Sequence, residues 1–450
     1  MIDLAPLLLS SLGDAVSTDP RDLAAARSDR SGKVSDGSPL AIVNARNIDD
    51  IRTTMRVASA HGIPVVPRGA GTGLAGGSIG GPGEVVLSTT GMNRILEINV
   101  DDELAVVEPG VINQHLNDAL ADVGLWFAPD PASKAISTIG GNIATNAGGL
   151  LCAKYGVTRE SVLGLKVVLA DGRLLSLGHR TVKGVTGLDL TALMIGSEGT
   201  LGVIVEATLK LQALPAGPVS TIGAYFTTVE QAARASAVIT ASRLRPAAME
   251  LLDSAALAGI GDYLGLDLGS RGSYLLVQLD GAAASVEAAA ALAIIRSLGG
   301  DAEVSTDIVD SERLFGIRRA FHPAMTQKGT VLIEDIAVPR SQLPAMFQAI
   351  TGIEERYGIV IPTVAHAGDG NLHPNFIFDG PDVPEVIWRA ADELFLACLR
   401  LGGTLTGEHG VGLLKKRWLR DELGDDQLEL QRQIKQVFDP GGILNPGKVF

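Results

Sequence analysis

Aromatic residues make up only 4% of this 450-residue chain, cysteine occurs twice, and Lys and Arg (37) are outnumbered by Asp and Glu (51). Each scarcity excludes something. Cys152 and Cys398 are too few for a disulfide framework, which favours a cytosolic setting. A formal charge of −14 argues against nucleic acid or anionic lipid as a general partner. Hydrophobic residues reach 46%, yet no apolar run attains the ~18 residues that mark a membrane span. The N-terminus carries Asp3 and Asp14 and no basic region before Leu7-Leu8-Leu9, so it makes a poor signal peptide. These properties predict a soluble, cytoplasmic α/β protein of two to three domains.

Glycine, at 54 residues, is plentiful, and much of it is clustered. An apolar lead-in over Ile63 to Val66 reads as a strand and runs into Pro67-Arg68-Gly69-Ala70-Gly71-Thr72-Gly73-Leu74-Ala75-Gly76-Gly77. Such a loop lets backbone N–H groups crowd around a bulky anion, and the two phosphates of a dinucleotide are natural guests. Gly71, Gly73 and Gly76 match G-x-G-x-x-G literally, but Ser78-Ile79-Gly80-Gly81-Pro82-Gly83 follows, where a Rossmann site requires a helix. A glycine loop by itself is more often a plain turn. A second cluster runs from Pro129 to Gly149 and mixes glycine with small hydroxyls and amides, among them Ser137, Thr138, Asn142 and Asn146. It reads as a long loop pressed against a large planar ligand, or as a loop kept flexible by glycine. A third cluster, Met194 to Ile204, precedes a strand, and a fourth, Phe438 to Phe450, closes the chain.

Helices are predicted over Ile48 to His61, Val111 to Val123, Thr228 to Ser242, Ala282 to Leu298 and Gln342 to Tyr357. Strands are predicted around Ala41 to Val43, Leu104 to Val107, Ser161 to Ala170, Leu174 to Leu177, Glu206 to Leu211, Ser273 to Leu279 and Val331 to Val338. The composition shifts at Pro215-Ala216-Gly217-Pro218, a candidate domain boundary. The expected division is a helical segment 1–37, a ligand-binding domain 38–214, a substrate or cap domain 215–405 and a C-terminal segment 406–450. The fold class is α+β, mixed α/β.

Histidine is scarce, seven in all, and three fall in two short motifs. In His366-Ala367-Gly368-Asp369-Gly370-Asn371-Leu372-His373, Asp-Gly favours a tight hairpin that sets His366 and His373 opposite each other. The other motif is Thr406-Gly407-Glu408-His409-Gly410-Val411-Gly412. Two imidazoles and a carboxylate make a three-ligand divalent site open to substrate, and His409 beside Glu408 is free to act as a base. The bland alternative is ordinary core or surface histidines. Arg318 and Arg319, on a predicted helix, are a solvated face or a clamp for a substrate carboxylate.

In combination and order, these motifs resemble the FAD-linked D-2-hydroxyacid dehydrogenases of the vanillyl-alcohol oxidase superfamily. That group includes D-lactate dehydrogenase, the glycolate oxidase large subunit and D-2-hydroxyglutarate dehydrogenase. The resemblance covers nearly the whole chain and implies a two-subdomain FAD-binding domain of the PCMH type, an α/β cap and a C-terminal helical segment returning to the FAD domain. It implies that Pro67, Arg68, Gly69, Ala70, Gly71, Thr72, Gly73, Leu74, Gly76 and Gly77 wrap the pyrophosphate. Pro131, Thr138, Ile139, Gly140, Gly141, Asn142, Thr145, Asn146, Gly148, Gly149, Gly202 and Ile204 would line the rest of the cofactor, with Asn445 and Lys448 closing the site. FAD is expected to be non-covalent, because Pro67-Arg68-Gly69 holds neither His nor Cys. His366, His373 and Glu408 would hold a divalent metal, with zinc favoured and Mn2+ or Fe2+ compatible. His409 would be the base, Asn375 would assist the substrate and Arg318 would bind its carboxylate.

The hydroxyglutarate-type enzymes carry a Lys in the strand before Val338-Pro339, where this chain reads Val331-Leu332-Ile333-Glu334-Asp335-Ile336-Ala337. A lactate- or glycolate-sized acid therefore fits better than a dicarboxylate. The implied partners are that acid and an electron acceptor: a quinone, a cytochrome, an electron-transfer flavoprotein or an iron–sulfur subunit. The acceptor could bring the protein to a membrane surface, and a homodimer is compatible. Rival readings are a D-2-hydroxyglutarate dehydrogenase, a non-redox enzyme like alkyl-glycerone-phosphate synthase, and a silent FAD subunit.

Overall fold

A computed structural model describes residues 4–450, so residues 1–3 of the predicted N-terminal segment lie outside the described residues. The chain divides into two compact units. One comprises residues up to Gly148, then Gly156–Leu214 and Glu408–Phe450; the other comprises Gly149–Tyr155 and Pro215–Gly407.

The first unit holds two main sheets. In the smaller, Ala41–Asn44, Val85–Ser88 and Val65–Arg68 run parallel in that order, and Val16–Ser17 adds an antiparallel edge. The helix Ile48–His61 crosses between two of these strands. Asn47 caps its start through Asp50 N–H and Gly62 ends it in the left-handed conformation. Ile51, Met55 and Ala58 on one of its faces pack with Val65, Leu87, Val203 and Leu444. Parallel strands buried on both faces read as unbroken apolar runs, which is why Ile63 to Val66 reads as a strand in the sequence. The larger sheet is antiparallel, ordered Ile95–Asn99, Leu104–Val107, Val203–Lys210, Val162–Val168, Leu174–Gly178. Leu116 and Leu120 of the helix Asn113–Ala121 share its core with Ile139 and Ile143. The long loop expected over the second glycine cluster is wrong in part, because Ile139–Thr145 is a helix. Thr138 caps it through Gly141 N–H and Asn146 ends it at φ 52°. Glycine there serves close approach: a Cβ on Gly140 would lie 2.6 Å from Cβ of Pro109.

The second unit is built on one antiparallel sheet. Its order is Asp301–Ser305, Val219–Phe226, Ser273–Asp280, Ala248–Leu252, Thr363–His366, Asn371–Phe378, Thr330–Ile333, with Ile336–Ala337 also pairing Asn371–Phe378. The predicted strand Val331 to Val338 is therefore two short strands, broken at the buried acids Glu334 and Asp335. The short segment Gly149–Tyr155 belongs to this unit, held by Lys154 and Tyr155, which both bond the carboxylate of Asp280. Among the described residues no helix is long and apolar enough to cross a membrane.

Candidate functional site

In the first unit the glycine clusters, distant in sequence, come together. Arg68 ends the strand Val65–Arg68, and its Nη1 and Nη2 donate to the carbonyls of Ser78 (2.7 Å) and Ser28 (2.9 Å). Burial lowers its pKa below the usual guanidinium value. Its visible role is to close the loop, since a Cβ on Gly71, at φ 68°, would strike the guanidinium. A Cβ on Gly69 would likewise strike Thr138 Oγ1, so the first and second clusters touch. Asn445 joins two more. Its Nδ2 donates to the carbonyls of Gly77 (2.9 Å) and Glu198 (2.7 Å), and its own N–H to Val65. Lys448, only 3% exposed, lies 3.7 Å from Glu84, and burial lowers its pKa.

This cradle fits a polar, nearly planar cofactor. Ser137 Oγ and Asn142 Nδ2 are buried without a hydrogen-bond partner among the described residues, and Asn142 directly follows glycines 140 and 141. Buried polar atoms are almost always satisfied, so such atoms next to side-chain-free backbone mark a ligand surface. Glu408 and His409 belong to this unit as well. A Cβ on Gly148 would lie 2.5 Å from Glu408 Oε2. The loop after His409 is held by Glu198, whose carboxylate accepts from Val411 N–H (2.7 Å) and Gly412 N–H (3.0 Å). Burial pushes Glu198 up to about 7 in spite of those two bonds.

The histidine pair belongs to the second unit. Thr363–His366 and Asn371–Phe378 form the expected hairpin, but the register pairs His366 with Asn371 and His373 with Val364. The loop has four residues rather than two, so the histidines are diagonal neighbours instead of directly opposed. Their rings still meet edge to face, with centroids 5.1 Å apart. Each Nδ1 faces a buried carboxylate. His366 Nδ1 is 2.7 Å from Glu250 Oε1, and His373 Nδ1 is 3.6 Å from Asp335 Oδ1. A neutral imidazole that gives its Nδ1–H to a carboxylate carries its lone pair on Nε2, the atom that binds metals. Glu250 also accepts Arg318 Nε at 2.7 Å. Burial would raise Glu250, but His366 and Arg318 together hold it below the usual carboxylate range. Asp335 accepts further bonds from Asn371 Nδ2 (2.7 Å) and Thr406 Oγ1 (2.6 Å). Asn375 Nδ2 donates to the His373 carbonyl (2.8 Å), and its Oδ1 is buried without a partner among the described residues.

Arg318 lies in the last turn of the helix Ile308–Arg319, as its sequence predicts. Gly149, expected beside the cofactor, opens the segment that belongs to the second unit. Sequence reasoning missed Glu250 and gave Asp335 no role in the site. The available signal was a lone acid inside the apolar strand Ala248–Leu252.

Comparison with known proteins identifies the family. Residues 39–178 match the family described as "FAD binding domain" and residues 218–449 match "FAD linked oxidases, C-terminal domain". The chain is 41% identical to glycolate oxidase subunit GlcD of Bacillus subtilis over 92% of this chain and 89% of that one. It is 37% identical to a D-lactate dehydrogenase of Archaeoglobus fulgidus, over 91% and 90%. In fold it is similar to p-cresol methylhydroxylase, with TM-score 0.82 at 16% identity over 99% and 96% of the chains. It is also similar in fold to alkyldihydroxyacetonephosphate synthase, with TM-score 0.75 at 18% identity over 98% and 86%. A cradle of four glycine-rich segments in one unit, a sheet-borne histidine pair in the other and these matches lead to one statement: the chain belongs to the FAD-linked oxidases and is an FAD-dependent oxidoreductase of the PCMH-type fold.

Proposed function

We propose that this enzyme oxidises a small D-2-hydroxy acid, glycolate or D-lactate, to the 2-oxo acid. The observation that carries the reading is the His366–His373 pair, each Nδ1 turned to a buried carboxylate. The activities named for these two relatives support the substrate class. FAD, held without a covalent bond by Arg68 to Gly77, Thr138 to Gly149, Gly202, Ile204, Asn445 and Lys448, supplies a hydride acceptor. A divalent ion, for which the family resemblance names His366, His373 and Glu408 as donors, would supply Lewis acidity toward the substrate hydroxyl, and the two imidazoles share one hairpin.

The remaining work falls to the chain's own side chains. Arg318 spends Nε on Glu250, which leaves its Nη1–Nη2 edge to take the substrate carboxylate bidentately. Fixing that carboxylate orients C2–H, a positioning effect worth several kcal/mol. His409 accepts the hydroxyl proton, imidazole being the side chain that titrates nearest neutrality. Asn375 offers Oδ1 as an acceptor to the substrate. Electrons then pass to an acceptor outside this chain.

Anaerobic titration of the yellow protein with glycolate, D-lactate, L-lactate and D-2-hydroxyglutarate, following flavin absorbance, tests the proposal. Bleaching by glycolate or D-lactate is expected. A flavin that no 2-hydroxy acid bleaches refutes the reading and leaves a non-redox use of the scaffold.

A further inference from the structure

One buried side chain touches both halves of the proposed substrate machinery without being part of either. Glu250 sits in the middle of the strand Ala248–Leu252, is 1% exposed and pairs across the sheet with His366. Its neighbours in the strand are apolar, so packing would favour an apolar residue here, and an ionised group costs several kcal/mol unless compensated. Each of its two oxygens has a separate task. Oε1 takes the Nδ1 of His366 at 2.7 Å, and Oε2 takes the Nε of Arg318 at 2.7 Å. Among the described residues Nη1 and Nη2 of Arg318 make no hydrogen bond, so the guanidinium is anchored at its root and open at its fork.

We propose that Glu250 is a positioning residue that aims a metal-binding imidazole and a carboxylate-binding guanidinium together, so that metal affinity and substrate affinity are coupled through one carboxylate. The inference rests on the functional reading above and goes beyond it. The bond to Nδ1 fixes His366 in the tautomer with Nε2 unprotonated. The bond to Nε fixes the plane of the guanidinium, and with it the direction of its fork. Because both bonds end on the same rigid carboxylate, the spacing between imidazole and fork is set by one side chain on a central strand. A carboxamide cannot do both tasks, since one of its two ends is a donor facing a donor.

The test compares wild type with Glu250→Gln, His366→Ala and Arg318→Lys as flavin-loaded protein stripped of metal with a chelator and retitrated with Zn2+ or Mn2+. Glu250→Gln should bind metal ~10- to 100-fold more weakly and raise KM for the 2-hydroxy acid at least tenfold, with flavin content unchanged. Arg318→Lys should raise KM alone, and His366→Ala should lose the metal. Wild-type metal affinity together with wild-type KM in Glu250→Gln overturns the proposal. If His366→Ala keeps its metal, the functional reading itself has failed, whatever Glu250→Gln does. A second measurement needs no variant: in the metal-free wild-type flavoprotein, 15N spectra of histidine-labelled protein should show His366 as the Nδ1–H tautomer. Observation of the neutral Nε2–H tautomer, with Nδ1 unprotonated, overturns the proposal even if Glu250→Gln does not fold.

Discussion

A histidine and a glutamate that are neighbours in sequence, Glu408 and His409, carry different burdens in the proposed reaction, and each can be removed alone. Glu198 grips the following loop through the backbone N–H groups of Val411 and Gly412, so truncating the imidazole of His409 leaves the loop's anchors in place. His409→Ala is expected to lose ~10²- to 10⁴-fold in turnover while retaining a full complement of yellow FAD, read by the flavin spectrum. Unchanged turnover would remove His409 from the mechanism. His373 is held by different means, its Nδ1 near Asp335 and its carbonyl bonded by Asn375. His373→Ala is expected to purify with flavin but without stoichiometric metal, a difference that elemental analysis resolves. At this scale the sequence was informative about residue types and silent about their supports. Nothing in a row of letters links Glu250 to His366, because the pairing is made across a sheet between residues 116 positions apart.

At the scale of elements, the hairpin that carries both histidines depends on its loop. Gly370 sits at φ 94°, where an added Cβ would strike the carbonyl of Val338. Gly370→Ala should therefore destabilise the second unit by about 1–3 kcal/mol, from strain alone, as a lowered unfolding midpoint. Metal affinity should fall in parallel, since the loop sets the register that brings the two rings edge to face. An unaltered midpoint would show that the turn has slack. Helices with a clear apolar stripe and a cap were legible in advance, as over Ile48–His61 and Thr228 to Ser242, because periodicity and capping are local. The helix Ile139–Thr145 was hidden. It contains two adjacent glycines, poor helix formers, and is stabilised by packing against Pro109 and by Thr138 rather than by propensity. The strand break at Glu334-Asp335 was hidden for a similar reason: Asp335 leaves the ladder to serve Asn371 and Thr406.

For the molecule as a whole, stability should fall as pH rises through the neutral range, contrary to the usual pattern of acid denaturation. Burial pushes two carboxyls, Glu198 in one unit and Asp253 in the other, up to about 7. A folded pKa above the unfolded one means the native state binds the proton more tightly. The stability so gained is complete below about pH 4 and is lost as pH rises through about 7. Glu250 acts in the opposite sense, but its lowered value confines its effect to acid below the ordinary carboxylate range. Thermal midpoints measured between pH 5 and 7.5 should therefore decline. Asp253→Asn should flatten the decline, since it cannot ionise while retaining an acceptor for Ala256 N–H. A midpoint that rises over this interval would contradict the assignment.

The sequence by itself determined the glycine clusters, the histidine motifs and many of the strands and helices, because those depend on chain neighbours and on short periodicities. The structure changes units between Leu214 and Pro215. The tertiary structure alone decided that Gly149–Tyr155 join the second unit. It alone placed buried carboxylates behind His366 and His373. Those features follow from which surfaces can be buried together and which buried charges then find partners. Both are properties of contacts between residues far apart in the chain.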